Sequence, residues 1–274
     1  MNFSFPRTAG LSAFQLKFFA LLAMTLDHIA AYLPLPIPGW FHLIGRLAAP
    51  IFLFLCAEGF AHTRSRRSYL KRLYLAFVLM SIGNLTVNHF FSTPGGVIVT
   101  NGMFQTMFLV VWVLLCLESL RTGMREKQGK RIAAALGGLL LTVLTAVPLI
   151  LLMTQTMDAS GLVAPWARIC VQIYSAFVPN LLLTEGSFLW VALGVMLYYL
   201  RGHRIVLAVL FTLFWIVIGT LPDGFFAWLS LIPILLYNGA PGKHKMKAFF
   251  YAYYPVHVYI LFIARWVLIT QFGF

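Results

Sequence analysis

Charged and titratable side chains interrupt the first two hydrophobic segments of this sequence. They are Lys17, Asp27 and His28 in the first segment, and Arg46 and Glu58 in the second. A charge at membrane depth is costly, so such residues usually face the protein interior and mark a transport pathway or a reaction site. Their concentration in two consecutive segments therefore predicts chemistry or transport inside a bilayer.

Lys17 and His28 lie on nearly the same face of the first predicted helix. His28 follows Lys17 by eleven positions, which at 100° per residue is three turns plus about 20°. Along the helix axis they lie about 16 Å apart, roughly half the hydrocarbon thickness. They are too far apart to hydrogen-bond, but an elongated ligand such as acyl-coenzyme A spans that distance, with its anionic head near Lys17. A lysine that reaches lipid headgroups explains Lys17 equally well.

His28 is the candidate general base, because imidazole titrates near neutral pH and a nearby carboxylate tunes it. Asp27 is its neighbour in sequence but lies about 100° around the helix, so it need not orient His28. Asp27 is expected to pair with Arg46, which lies at similar depth in the second segment and lowers the cost of both charges. Arg46 then either serves that structural pair or stabilises a developing oxyanion.

Two further positions are candidates for the site. Glu58 and His62 are spaced i,i+4 at the cytoplasmic end of the second segment, so they share a face. Either an anion-binding site or a helix-end ion pair fits that spacing. His257 follows Pro255 in the last apolar segment, near the membrane middle. The other histidines lie near loops and are interpreted as ordinary: His42, His89, His203 and His244.

The sequence lacks a phosphate-binding glycine loop, zinc-ligand spacing and a nucleophile elbow. The three cysteines all lie in apolar segments without paired spacing, and we interpret them as small core residues: Cys56, Cys116 and Cys170. No serine or cysteine has a credible base. If the chain is an enzyme, we therefore predict direct acyl transfer by general-base catalysis, without a metal.

The composition is that of an all-α, polytopic helical membrane protein, and we predict a single integral membrane domain over 1–274. Of the residues, 61% are hydrophobic and 10% are charged, whereas a soluble domain has about a quarter charged. The net charge of +13 comes from basic loops, including Arg64, Arg66, Arg67, Lys71 and Arg72, and Lys243, Lys245 and Lys247. This distribution follows the positive-inside rule. It favours membrane lipids and a phosphate-bearing cosubstrate over nucleic acid as partners.

Apolar stretches of about 20 residues predict about nine or ten transmembrane segments. Nine are assigned: 14–33, 40–62, 69–90, 103–120, 131–153, 187–200, 205–221, 225–238 and 248–270. The stretch 166–184 is ambiguous. If it is re-entrant or interfacial, every basic loop is cytoplasmic, as is the amino terminus; if it crosses, one loop violates the charge rule. Four prolines inside spans are expected to kink helices: Pro50, Pro148, Pro233 and Pro255.

Five stretches carry a family resemblance. In chain order they are KFFALLAMTLDH (17–28), GRLAAPIF (45–52), AEGFAHT (57–63), LLYNG (235–239) and FFYAYYPVH (249–257). Together they resemble the TraX family of bacterial membrane proteins. The first stretch is the most specific, and the region from about 95 to 180 contributes little.

The resemblance implies an activity. The family takes its name from a protein that acetylates the amino terminus of conjugative pilin in the inner membrane. More widely, it is similar to multi-span acyltransferases that use cytoplasmic acyl-coenzyme A. Those relatives share a basic residue and a histidine with ten residues between them, as Lys17 and His28 have here. The resemblance thus implies His28 as catalytic base and Arg46 as a site residue, and it leaves a peptide, a glycan or a lipid open as acceptor.

Two functional hypotheses follow. The first is an acyl-CoA-dependent acyltransferase, with acetyltransferase activity favoured, in a bacterial inner membrane. Its catalytic residues would be His28 and Asp27, and its cosubstrate would contact Lys17, Arg46, Glu58, His62, Arg64, Arg67, Lys71 and His257. The alternative is a proton-coupled transporter, in which Asp27, Glu58 and His28 form a relay.

Overall fold

The computed structural model describes residues 10–92, 96–157, 164–242 and 246–273, and they are helical almost throughout. The helices are α1 Ala13–Tyr32, α2 Trp40–Gly45, α3 Ala48–His62, α4 Arg66–Phe90, α5 Met103–Arg125, α6 Gly129–Leu144, α7 Val147–Thr156, α8 Pro165–Phe177, α9 Ser187–Leu200, α10 Arg204–Ile218, α11 Asp223–Leu229, α12 Leu231–Leu235 and α13 Lys247–Phe272. No strand occurs within these ranges, so the all-α prediction is confirmed. Lys243, His244 and Lys245 lie outside the described residues.

Six helical segments in the described ranges are long and apolar enough to cross a membrane. They are Ala13–Tyr32, Trp40–His62, Arg66–Phe90, Met103–Arg125, Gly129–Thr156 and Ala248–Phe272. Three shorter apolar segments accompany them: Ser187–Leu200, Arg204–Ile218 and Asp223–Leu235. Each of the nine predicted spans coincides with one of these segments, which confirms a polytopic helical membrane protein.

Three of the four prolines predicted to kink a helix stand in the first turn after a break. Pro50 follows the break between α2 and α3, Pro148 that between α6 and α7, and Pro233 lies in α12. A proline is tolerated there because the first-turn N–H has no intrahelical acceptor. Pro255 differs, since α13 continues through it to Phe272.

The start of α1 is fixed by backbone pairing with the LLYNG segment. Ser12 and Gln15 form a capping box, which satisfies free N–H groups of the first turn. Just before it, the Leu11 N–H donates to the Leu236 carbonyl at 2.8 Å, and the Asn238 N–H donates to the Leu11 carbonyl at 3.0 Å. The first helix is thereby joined to chain more than 220 positions downstream.

The helices α1 and α13 run in the same direction. Their contacts follow the order Phe14–Phe250, Thr25–Tyr253, His28–His257 and Tyr32–Phe262. Two parallel spans at the start and end of a membrane chain require an odd total number of crossings. This agrees with nine spans and with a stretch 166–184 that does not cross.

The chain forms two compact units. The first contains α1, α2, most of α3 and α10 to α13, together with 86–100; the second contains most of α4 and α9 with α5 to α8 between them. The first unit contains both His28, at the end of the KFFALLAMTLDH stretch, and the FFYAYYPVH stretch. The single integral membrane domain stays a prediction.

Candidate functional site

Two histidines meet at the interface of α1 and α13. His28 Nδ1 lies 2.8 Å from His257 Nε2, and the two rings are stacked with centroids 5.0 Å apart. Both residues are buried, with 8% and 7% of their surface exposed. The other ring nitrogen of His257, Nδ1, lies 2.8 Å from the backbone carbonyl of Tyr253.

The Tyr253 carbonyl fixes the protons on both rings. A carbonyl oxygen only accepts, so His257 Nδ1 carries the hydrogen and donates to it. In the neutral ring Nε2 is then the acceptor, so His28 must donate to it from Nδ1. The neutral His28 therefore has its lone pair on Nε2, which is the protonation state of a general base.

Tyrosines surround this pair and hold it in place. The ring of His257 stacks on Tyr253 at 4.8 Å, and that of His28 stacks on Tyr254 at 6.1 Å. Thr25 Oγ1 donates to the Leu21 carbonyl at 2.8 Å. Its single hydrogen is thus used, and Tyr253 donates its hydroxyl to Thr25 Oγ1 at 3.0 Å. This bond fixes Tyr253 to α1 one turn before His28.

Asp27 belongs to a different set of contacts. Its Oδ1 lies 2.6 Å from His42 Nδ1, His42 Nε2 contacts Arg46 Nη2, and Arg46 Nε donates to Asp223 Oδ1 at 3.2 Å. The predicted direct pair of Asp27 with Arg46 is wrong, because the His42 imidazole stands between them. The interpretation of His42 as an ordinary loop histidine is wrong for the same reason.

The chain Asp27–His42–Arg46–Asp223 joins two carboxyl groups through an imidazole and a guanidinium. Arg46 can only donate, so His42 Nε2 accepts from it. His42 is therefore the neutral tautomer with its hydrogen on Nδ1, toward Asp27. The chain fastens α1 to α2 and α11 immediately beside His28, and we infer a positioning role for it.

Gly45 allows α2 to approach the Asp27 side chain. A Cβ at this position would lie 2.2 Å from Asp27 Cβ and 2.6 Å from its Cγ. Any larger residue would displace Asp27 or separate α1 from α2, because real Cβ atoms do not come so close. Close packing against Asp27 thus explains why a glycine, Gly45, stands at the start of the GRLAAPIF stretch.

Glu58 contacts the LLYNG segment. The buried carboxylate, 8% exposed, is hydrogen-bonded to the Tyr237 hydroxyl, and the Tyr237 ring packs on Phe54 at 5.3 Å. Arg204 Nη2 donates to the Tyr237 carbonyl at 3.0 Å. Glu58 thereby holds the segment that fixes the start of α1, while His62 is exposed at the end of α3.

Replacing Tyr237 by phenylalanine is expected to destabilise the protein by about 1–3 kcal/mol, because a buried carboxylate loses a donor. The change should be measured as the free energy of unfolding in detergent, in a cycle with Glu58→Gln. If the two groups interact, the double variant is less destabilised than the sum of the single variants. Additive effects would show that the Tyr237 hydroxyl does not stabilise Glu58.

Lys17 lies on the α13 side of α1, as His28 does. Its ammonium is 5.7 Å from the centre of the Phe250 ring, a cation–π contact. The predicted common face of Lys17 and His28 is therefore confirmed, and α13 packs on it. A ligand that reached from one residue to the other would follow the edge of the α1–α13 interface.

The remaining predicted site residues lie in the second unit. Arg64 precedes α4, and Arg67 and Lys71 are in its first two turns; all three side chains are exposed. Residues four positions apart share a helix face, so Arg67 and Lys71 present their charges together. Exposed basic side chains can contact either lipid headgroups or a phosphate-bearing substrate. The assignment of Arg64, Arg67 and Lys71 to the cosubstrate therefore stays a prediction.

The predicted site left out several residues that the structure brings into contact, among them His42, Asp223, Tyr237 and Tyr253. Two of these had a signal in their spacing: Tyr253 stands four positions before His257, and His42 four positions before Arg46, a spacing that joins residues on one helix face. Tyr237 lies in the LLYNG stretch of the family resemblance. Asp223 had no such signal, because it meets Arg46 only through the tertiary fold.

Comparison with known proteins decides the family. The family described as "TraX protein" matches residues 12–265. The chain belongs to the TraX family. The TraX match begins one residue before α1 and extends over most of α13, so it includes both histidines of the central pair and the whole Asp27–His42–Arg46–Asp223 chain.

One curated relative matches part of this TraX chain. It is the "Probable fimbrial assembly protein FimC, serogroup H1" of Dichelobacter nodosus, 44% identical over 71 residues. The alignment covers 24% of this chain and 29% of that protein, so it spans less than a third of the relative. No solved structure matches.

Proposed function

We propose that this chain is a membrane-embedded acyltransferase of the bacterial inner membrane. It would move an acyl group, with acetyl favoured, from cytoplasmic acyl-coenzyme A to an amine or hydroxyl of a peptide, glycan or lipid. The observation that carries the proposal is the buried pair His28–His257, whose tautomers leave an acceptor nitrogen on His28. Membership of the TraX family supports the same reaction class.

In the proposed reaction His28 Nε2 takes the proton from the acceptor N–H or O–H. The acceptor atom attacks the thioester carbonyl carbon, and the C–S bond breaks. The coenzyme A thiolate leaves and recovers the proton from His28, so no proton is gained or lost overall. No covalent acyl-enzyme is required, which suits a site without a nucleophilic serine or cysteine.

His257 supports the charged state of His28. When His28 becomes an imidazolium, its Nδ1–H donates to the acceptor nitrogen of His257 at 2.8 Å. A hydrogen bond to a charged group contributes about 1.5–3 kcal/mol, and it is stronger in a buried site than in water. His257 is thus proposed as a positioning residue for the base. The sequence predicted His257 as a cosubstrate contact, and its hydrogen bond with His28 favours the positioning role instead.

The acceptor we favour testing first is a fimbrial subunit. The partial relative from Dichelobacter nodosus is described as a fimbrial assembly protein, and the alignment with it is short. A peptide amine is one of the acceptor classes that general-base catalysis serves. Lys17, on the same face of α1 as His28, is proposed to contact a phosphate of the cosubstrate.

The test is the release of coenzyme A from labelled acetyl-coenzyme A by the purified protein in detergent, with and without acceptor. We expect His257→Ala to lower the rate about 10- to 100-fold, the equivalent of losing one charge-assisted hydrogen bond. His257→Gln should recover part of the loss, because its side-chain amide offers an acceptor oxygen to His28.

The two His257 variants separate a positioning role from a role in packing. A packing role predicts that both variants lose activity together with thermal stability. If the wild-type protein neither binds nor consumes acetyl-coenzyme A with any acceptor class, the proposed reaction is wrong whatever His257 does.

A further inference from the structure

The helix α8 is less than half as long as the span before it, Gly129–Thr156. It has 13 residues, Pro165–Phe177, which gives a length of about 20 Å. The hydrocarbon core is about 30 Å thick. The parallel direction of α1 and α13 also leaves no crossing for this stretch. At its start the Ala164 N–H donates to the Thr156 carbonyl at 3.1 Å, and further on Tyr174 contacts Thr145, so α8 runs back along α7 from the outer end of the fifth span. These observations indicate that α8 enters the bilayer without crossing it.

Its side chains form three faces about 120° apart around the helix. One face packs on the protein through Ala167, which is fully buried, and through Tyr174, whose hydroxyl donates to the Thr145 carbonyl at 2.9 Å. A second face is exposed and apolar: Trp166, Ile169, Ile173 and Phe177. The third face is exposed and polar, with Arg168 and Gln172.

This division suits a helix that enters the outer leaflet beside α7. The apolar face meets the acyl chains, Arg168 lies in the first turn near the outer surface, and Trp166 favours the boundary between lipid and water. The four exposed apolar side chains of α8 are each between 47% and 59% exposed. Exposing this apolar stripe to water would be unfavourable, whereas the acyl chains of lipid would cover it.

The segment after α8 returns into the protein without helical structure. It is held by the first turn of α5: Gln105 Nε2 donates to the Asn180 carbonyl at 3.0 Å, and the Thr106 and Thr184 hydroxyls are 2.8 Å apart. Asn180 is fully buried and Thr184 is 6% exposed. Non-helical backbone at membrane depth is tolerated only where protein or water satisfies it.

Glu185 completes this arrangement. Its carboxylate accepts from the N–H of Gly102 at 3.0 Å, directly before α5, where a negative charge favours the positive end of the helix dipole. α9 then begins at Ser187 and has 14 residues. α9 thus begins beside the start of α5, on the outer side.

We propose that residues 165–186 form a re-entrant element of the outer leaflet. α8 enters the outer leaflet along α7 with its Trp166–Ile173 face in the acyl chains, and 178–186 returns along the first turn of α5 before α9 crosses. The outer side follows from the basic loops on the cytoplasmic side and the five spans before α8. This proposal is independent of the acyltransferase reaction.

The test is cysteine accessibility in spheroplasts, with a membrane-impermeant maleimide. Cys170 is exposed and is replaced by serine, whereas Cys56 and Cys116 are buried and stay. We expect Arg168→Cys to react in intact spheroplasts. Ile173→Cys, on the lipid face, should react at least tenfold more slowly there and react fully after denaturation. Lys130→Cys, exposed in the first turn of α6, is the control and should react only after lysis.

Two results would overturn the proposal. If Arg168→Cys reacts only after lysis, the first turn of α8 does not lie near the outer surface. If Ile173→Cys reacts as fast as Arg168→Cys, the apolar face meets water and lipid does not cover it. Both substituted side chains are exposed, so a loss of folding is not expected, and the amount of membrane-inserted protein checks it.

Discussion

Replacing His28 by alanine is expected to abolish acyl transfer while the protein remains folded. A positioned general base accelerates a reaction by about 10²–10⁴-fold, and the His257 contact makes Nε2 the basic nitrogen of His28. We therefore expect the transfer of labelled acetyl to fall at least 100-fold. The measurement is acetyl incorporation into acceptor, or coenzyme A release, at saturating acetyl-coenzyme A.

The control for this experiment is His89→Ala. His89 is exposed in the last turn of α4, so it tests the loss of an imidazole outside the proposed site. It should retain full activity. Full activity of a folded His28→Ala protein would exclude the mechanism, and equal losses in both variants would trace the effect to something other than the base.

Replacing Gly45 by alanine is expected to destabilise the protein strongly. The added Cβ would lie 2.2 Å from Asp27 Cβ, an atom fixed to the α1 backbone, so no rotation of a flexible side-chain end removes the clash. Overpacking of this kind typically costs about 1–3 kcal/mol. The variant should have a lower unfolding temperature in detergent and a lower acyl-transfer rate, because Asp27 precedes His28 on α1.

Gly39→Ala is the matched control. Gly39 lies six positions earlier with helical φ and ψ of −59° and −21°, and no atom is within 4 Å of a Cβ placed there. It should leave the unfolding temperature unchanged or slightly raised. If Gly45→Ala were as stable as Gly39→Ala, the close contact between α2 and Asp27 would not exist in the membrane.

Local sequence predicted the elements well and the site in part. Spans are set by length and apolarity, which do not depend on the partner of a helix, so all nine coincide with helical segments. The common face of Lys17 and His28 depends only on helix geometry, and both residues do contact α13. The sequence left open whether 166–184 crosses the membrane, because composition alone does not distinguish a short crossing helix from a re-entrant or interfacial one.

The partners of the site residues were harder to predict, because they lie far apart in the chain. His28 meets His257 across 229 positions, and Arg46 meets Asp223 across 177. The sequence placed Arg46 and Asp27 at the same depth and was correct in that, but depth does not show that His42 stands between them. Nor does it show that a backbone carbonyl, that of Tyr253, fixes the tautomer.

The contact of the first helix with the last has a consequence for biosynthesis. A nascent chain releases α1 into the membrane before α13 is made, so the imidazole of His28 has no partner ring until the intervening spans have been inserted. The LLYNG segment that aligns the start of α1 also follows later. A ribosome that stops before α13 thus leaves α1 inserted without the contacts that fix the tautomer of His28.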